Sequence, residues 1–81
     1  MKLLIISPHH HETHIIEWLE AHTPQGSIII QPGHAPLIVT LVAHQNLTFL
    51  LKTGEISRIL LDQPGFLEIN RTTITALINQ I

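Results

Sequence analysis

No cysteine and no tyrosine occur among the 81 residues, aromatic side chains make up 4% of them, and only 12% are charged. Each shortage removes a class of function. Without a thiol the chain forms neither a disulfide framework nor a thiolate metal centre, and the redox character of its compartment stays open. Four basic against six acidic side chains leave a net charge of −2, which gives no electrostatic footprint for nucleic acid. No apolar run approaches the ~20 residues of a membrane-spanning helix. The opening MKLLII has the lysine and apolar start of a secretion signal, but Ser7-Pro8 and three histidines break the run after Ile6, so it reads as a strand.

What is abundant is apolar: 44% of residues are hydrophobic, while the charged fraction is half the ~25% of an ordinary soluble domain. A chain of this length is one domain, residues 1–81. It buries only roughly 60% of the surface it exposes when unfolded, so its stability is marginal. A small, weakly charged, apolar molecule implies a constitutive interface with a partner.

Short runs rich in Ile, Leu, Val and Thr alternate with turn residues, and strands are expected over 2–7, 27–31, 37–42, 46–51, 56–61, 66–69 and 73–77. Regular spacing of this kind belongs to an all-β sandwich or barrel. Residues 11–22, HETHIIEWLEAH, fit less easily. Ile15, Leu19 and His22, with Ile16 beside them, recur at helical spacing, yet a strand over 14–22 with Ile16 and Trp18 on one face also fits.

Between two of the apolar runs stands Pro32-Gly33-His34-Ala35-Pro36. Pro32 suits the second position of a β-turn and Gly33 supplies positive φ at the third, so Gln31-Pro32-Gly33-His34 reads as a type II turn. Pro36 then holds Ala35 extended before a strand begins at Leu37. The product is a stiff projection that presents His34 to a partner. Gly33 is expected to be its least replaceable residue.

His9, His10, His11 and His14 lie within six positions and are the candidate metal ligands. The zinc-protease pattern H-E-x-x-H fails on both registers, because His11 follows His10 where Glu is required and Ile15 stands where the second ligand of His11-Glu12 should be. With no third ligand in evidence, solvated histidines on a loop or strand edge are the expectation, and no cofactor. Ser7, Ser27 and Ser57 lack a nucleophile-elbow context, and glycines at 26, 33, 54 and 65 are too scattered to cradle phosphate. Catalysis by this chain is not expected.

GSIIIQPGHAPLIVTL, residues 26–41, resembles the segment of the epsilon subunit of rotary F-type ATP synthases that reads Gly-Glu-x-Gly-Ile-x-Pro-Gly-His-Ala-Pro-Leu. GFLEINRTTITAL, residues 65–77, is similar to that family's Gly-x-x-Glu-Val-x-x-x-x-Val-Thr-Val-Leu, and LLIISP, residues 3–8, to its first strand. The resemblance implies a flattened β-sandwich of about ten short strands, with residues 14–22 as a strand. It further implies a non-catalytic central-stalk subunit that links the gamma subunit to the c-subunit ring and couples proton flow to ATP synthesis. Such a subunit sits at the membrane periphery, on the face bearing the catalytic head, which in a bacterium is the cytoplasmic side of the inner membrane. Its contact residues would be Gly26, Ser27, Gln31, Pro32, Gly33, His34, Ala35, Pro36 and Leu37.

The departures are specific. Ser27 replaces the acidic residue implicated in the c-ring contact, and Ile29 replaces the second glycine, where a β-branched residue excludes a bulge at positive φ. The family's C-terminal helical hairpin does not follow within these 81 residues. Two other functions stay open: a free-standing sandwich paralogue that binds another protein, and a small metal-binding protein built on the histidines.

Overall fold

A computed structural model describes residues 1–79, and Gln80 and Ile81 lie outside the described residues. The chain is all β, with no helix among those residues: β1 (Lys2–Ser7), β2 (His10–Thr23), β3 (Gly26–Ile30), β4 (Leu37–Leu41), β5 (Asn46–Leu51), β6 (Ile56–Leu60), β7 (Gly65–Ile69) and β8 (Thr73–Leu77). They form one continuous path, β4-β7-β8-β1-β2-β5-β6, with β3 paired to β2 off that path. The path curls into two layers at β2. Its N-terminal part pairs with β1 in the first layer, and its C-terminal part pairs with β3 and β5 in the second. Eight strands are therefore described, not about ten, because one 14-residue strand serves both layers.

The helical alternative for residues 11–22 is overturned, and the cause is local. The register of β2 against β5 slips between Ile16 and Trp18, which inserts one extra residue at the corner. Ile16 and Leu19, three apart, both become buried, at 1% and 0% exposure. Helical spacing is thus mimicked by a bulged strand. The same slip places Trp18 on the outer face beside Glu20, opposite to Ile16, so the expectation that Ile16 and Trp18 share a face fails as well.

Beyond the bulge the alternation is regular, and it builds the core. Leu3, Ile5, Leu41, Leu67, Ile69, Ile74 and Ala76 from the first layer face Leu19, Ala21, Ile30, Leu47 and Phe49 from the second, all 2% exposed or less. A fully buried Leu, Ile or Phe side chain stabilises the fold by about 1.5–3 kcal/mol relative to its exposed state. The connection from β4 to β5 is held by backbone hydrogen bonds to β2 and to the residue that follows β6. Val42 N–H donates to His22 O at 3.0 Å, and His44 N–H to Leu61 O at 2.7 Å.

Candidate functional site

The chain passes from β3, at the edge of the second layer, to β4, at the edge of the first, through residues 31–36. This crossover is the stiff segment expected from its prolines. His34 N–H donates to Gln31 O at 3.2 Å, and Gly33 has φ of 86°, as a type II turn requires. A second support was not legible: Gly33 N–H donates to Arg71 O at 3.0 Å, which pins the crossover to the β7–β8 turn. That turn is itself built by Asn70, whose Oδ1 accepts the N–H of Thr72 at 3.1 Å and of Thr73 at 2.8 Å. Lys2 N–H donates to Thr72 O at 3.0 Å, so the start of β1 joins the same assembly.

His34 is held more closely than an outward-facing residue would be. The residue is half-buried, and in an exposed hydrogen bond its Nδ1 donates to Ala35 O at 2.7 Å, which orients the imidazole against its own loop. Beside it, Pro36, Leu37, Ile38, Glu68, Ile69 and Asn70 line an open groove of about 580 Å³.

The structure splits the expected contact set. Gln31, Pro32, Gly33, His34, Ala35, Pro36 and Leu37 cluster at the crossover, whereas Gly26 and Ser27 lie at the far end of β3, roughly 16 Å away at ~3.3 Å per residue. There Thr23 Oγ1 donates to Gly26 O at 2.8 Å and accepts from Gln25 N–H at 3.2 Å, closing the β2–β3 hairpin. Ile29 pairs regularly with Glu20 and does not have positive φ, as its β-branched side chain demanded.

An apolar interface was expected but not located; the outer face of the first layer is one candidate for it. Cross-strand register aligns Thr40, Phe66, Leu77, Ile6 and His11 in one row, and Ile38, Glu68, Thr75, Leu4 and Thr13 in the next. Ile38 is 68% exposed and Phe66 54%, so this face carries a contiguous apolar patch. Its signal lay in the residues of β4, β7 and β8 that alternate with the core positions.

The histidines fall on two faces. His11 is exposed on the outer row, while His10 and His14 alternate inward with Glu12 between them. His14 Nε2 donates to Glu12 Oε1 at 3.0 Å, and His10 Nε2 lies 3.1 Å from Oε2. The hydrogen bond from His14 is the largest influence on the Glu12 carboxyl and, with the charge of nearby His10, holds it below the ordinary carboxylate range against the opposing effect of partial burial. The ring of His14 also packs on Phe49, centroids 5.5 Å apart. Around His9, His10 and Glu12 opens a cleft of about 350 Å³ floored by Ile5, Ile59 and Ile78. Among the described residues no three His, Cys, Asp or Glu side chains are arranged to hold a metal ion.

The model of the family described as ATP synthase, Delta/Epsilon chain, beta-sandwich domain matches residues 1–81. The chain belongs to that family. No curated protein matches it in sequence. Among solved structures it is similar to a chain of the Euglena gracilis mitochondrial ATP synthase, resolved by cryo-electron microscopy with OSCP, F1 and c-ring. The TM-score is 0.83 at 16% identity, over 96% of this chain and 49% of that one. It is similar also to a chain of the Tetrahymena thermophila mitochondrial ATP synthase central stalk and c-ring, with a TM-score of 0.82 at 16% identity, over 99% of this chain and 63% of that one. At such identity these likenesses establish a shared fold alone, and this chain spans less than two thirds of either relative.

Proposed function

We propose that residues 1–81 act as the sandwich domain of an epsilon-type central-stalk subunit, non-catalytic and without a cofactor of its own. It joins a gamma-type subunit to the c-subunit ring of a proton-translocating ATP synthase and couples proton flow to ATP synthesis. The observation that carries this reading is the family match over the entire chain. The apolar rows of Ile38, Phe66, Leu77, Ile6 and Leu4 supply the face for the gamma-type subunit, which explains why so weakly charged a surface persists. The braced crossover around Gly33 and His34 supplies the end that meets the c ring. The subunit then lies at the periphery of the membrane, on the side of the catalytic head.

Co-purification tests it. The chain should co-elute with its cognate gamma-type subunit at micromolar concentration, and Ile38→Asp with Phe66→Asp should abolish that while the far-ultraviolet spectrum is retained. No co-elution by the folded wild-type chain would instead favour the free-standing paralogue, the reading that Ser27 and Ile29, in place of the family's acid and glycine, support.

A further inference from the structure

The outer face of the second layer has an order that the stalk reading does not use. Across β2, β5 and β6 the register aligns Glu20, Thr48 and Arg58 in one row and Trp18, Leu50 and Ile56 in the adjacent row. An acid and a base thus stand on either side of β5 at the same level, and two bulky apolar residues stand on either side of it at the next. Two strand spacings of ~4.8 Å separate Glu20 from Arg58, and among the described residues neither has an ion-pair partner. Ile56 is 51% exposed.

We propose that the chain pairs with a second copy of itself through this face, about a two-fold axis lying along β5. Rotation about that axis exchanges the two sides of β5 and leaves levels unchanged. Glu20 of each copy then meets Arg58 of the other, Trp18 meets Ile56, and Leu50 packs on its own symmetry mate. Every contact off the axis occurs twice, as a self-complementary two-fold interface requires. Charge complementarity selects this axis: one along β2 or β6 would leave the charged row unmatched.

The face is small. Only β2, β5 and β6 overlap their mates about this axis, and three strands of about five residues project to about 240 Å², well under the ~800 Å² per partner of a standard interface, so the dimer is weak and concentration-dependent. In sedimentation equilibrium of the full chain between ~10 µM and ~1 mM, the apparent mass should rise from monomer towards dimer. Glu20→Arg and Arg58→Glu, each alone, place like charges opposite one another twice, and each should weaken association by about tenfold or more. Mixed in equal amounts, the two variants again oppose unlike charges at both contacts, and a heterodimer should form with an affinity within about threefold of wild type. Restoration on mixing is the decisive result, since neither misfolding nor an ion pair within one chain produces it. A chain that stays monomeric to ~1 mM, single variants that associate like wild type, or a mixture that stays weak each overturns the proposal. Binding to a gamma-type subunit is tested separately through Ile38 and Phe66 on the other layer, so either idea fails without the other.

Discussion

Replacing Gly65 with alanine should damage this fold more than any change in the crossover. A Cβ at position 65 would stand 2.6 Å from the carbonyl oxygen of Leu77 and 3.4 Å from Cγ2 of Ile78. Even a close C···O contact lies at about 3.3 Å, so roughly 0.7 Å of separation must be found. The atom in the way is backbone, and it is tethered. Phe66 pairs with Leu77, Gly65 pairs with Leu41 on its other side, and Ile78 N–H donates to Ile6 O at 3.0 Å. Neither strand recedes without breaking its ladder. Overpacking of a well-fitted interior costs about 1–3 kcal/mol, and the immobile neighbour here places the cost in the upper half of that range.

That loss is large for so small a chain. At about 0.05–0.15 kcal/mol per residue, 81 residues have about 4–12 kcal/mol in total, and a domain of this size loses about 4–8 °C in Tm per kcal/mol. A fall of roughly 10–20 °C is expected for Gly65→Ala. Gly33→Ala is the comparison: its φ is 86° but nothing lies within 4 Å of a Cβ there, so it costs only the left-handed strain of about 1–2 kcal/mol. The larger penalty falls on Gly65, outside the crossover. Thermal and urea unfolding, followed by far-ultraviolet circular dichroism and the fluorescence of Trp18, measure both. A change within about 0.5 kcal/mol for Gly65→Ala, the size of an ordinary surface substitution, would refute the claim that β7 and β8 are locked at this contact.

Four further outcomes are expected. Glu12 has a folded-state pKa below its ordinary 4.5, so its stabilisation is complete above that value and is lost as pH falls through the depressed one; in urea titrations the advantage of wild type over Glu12→Gln should shrink below pH 4.5, and an advantage constant with pH would contradict the His14–Glu12 contact. Zinc and chelator should leave Tm unchanged, because the two imidazoles are taken up by the Glu12 carboxylate and, among the described residues, no group of three His, Cys, Asp or Glu side chains is arranged to hold a metal ion; a chelator-sensitive rise of several degrees would revive the metal-binding reading. Asn70→Ala removes the acceptor of two backbone N–H groups in an exposed turn and should cost about 1–2 kcal/mol, with faster amide exchange at Gly33, whose anchor is the neighbouring Arg71 O; unchanged exchange at Gly33 would separate the turn from the crossover. His34→Ala should leave stability within about 0.5–1 kcal/mol yet weaken proton-coupled ATP synthesis in membranes carrying the subunit; unfolding without a separate coupling defect would make His34 structural.

Turn chemistry and alternation made much of the fold legible. Pro32-Gly33 announced its type II turn, and the bounds of β1, β5 and β8 coincide with runs apparent in the sequence. These features depend on residues adjacent in the chain. Hidden were those that depend on which strands become neighbours. The Gly33–Arg71 bond joins residues 38 positions apart, and nothing in Asn70-Arg71 signals that its carbonyl faces a crossover. Gly26 and Ser27 looked continuous with Gln31 because they are close in sequence, but an extended strand of five residues carries them to the opposite end.

Strand β2 shows why the shared partner of His10 and His14 was not legible in the sequence. Read as a loop or a helix, residues 9–14 have no third ligand or partner for the imidazoles. Read as a strand, alternation puts His10, Glu12 and His14 on one face, and Glu12 becomes the acceptor between them. The bulge two residues beyond His14 erases that alternation for any window spanning residues 11–22, because it turns a period of two into an apparent three. One inserted residue therefore conceals both the secondary structure and the polar network, and its removal gives a direct check. Deleting Glu17, the residue between the displaced pairs, should restore strict alternation with Trp18 still opposite Ile16, but it removes the extra residue that bends β2 at the corner. A strand that must turn the corner between two layers does not tolerate this. Loss of the folded state on deletion, beside near-neutrality of Glu17→Ala, is the expected pair of results; a stable deletion variant would show that the corner does not depend on the bulge.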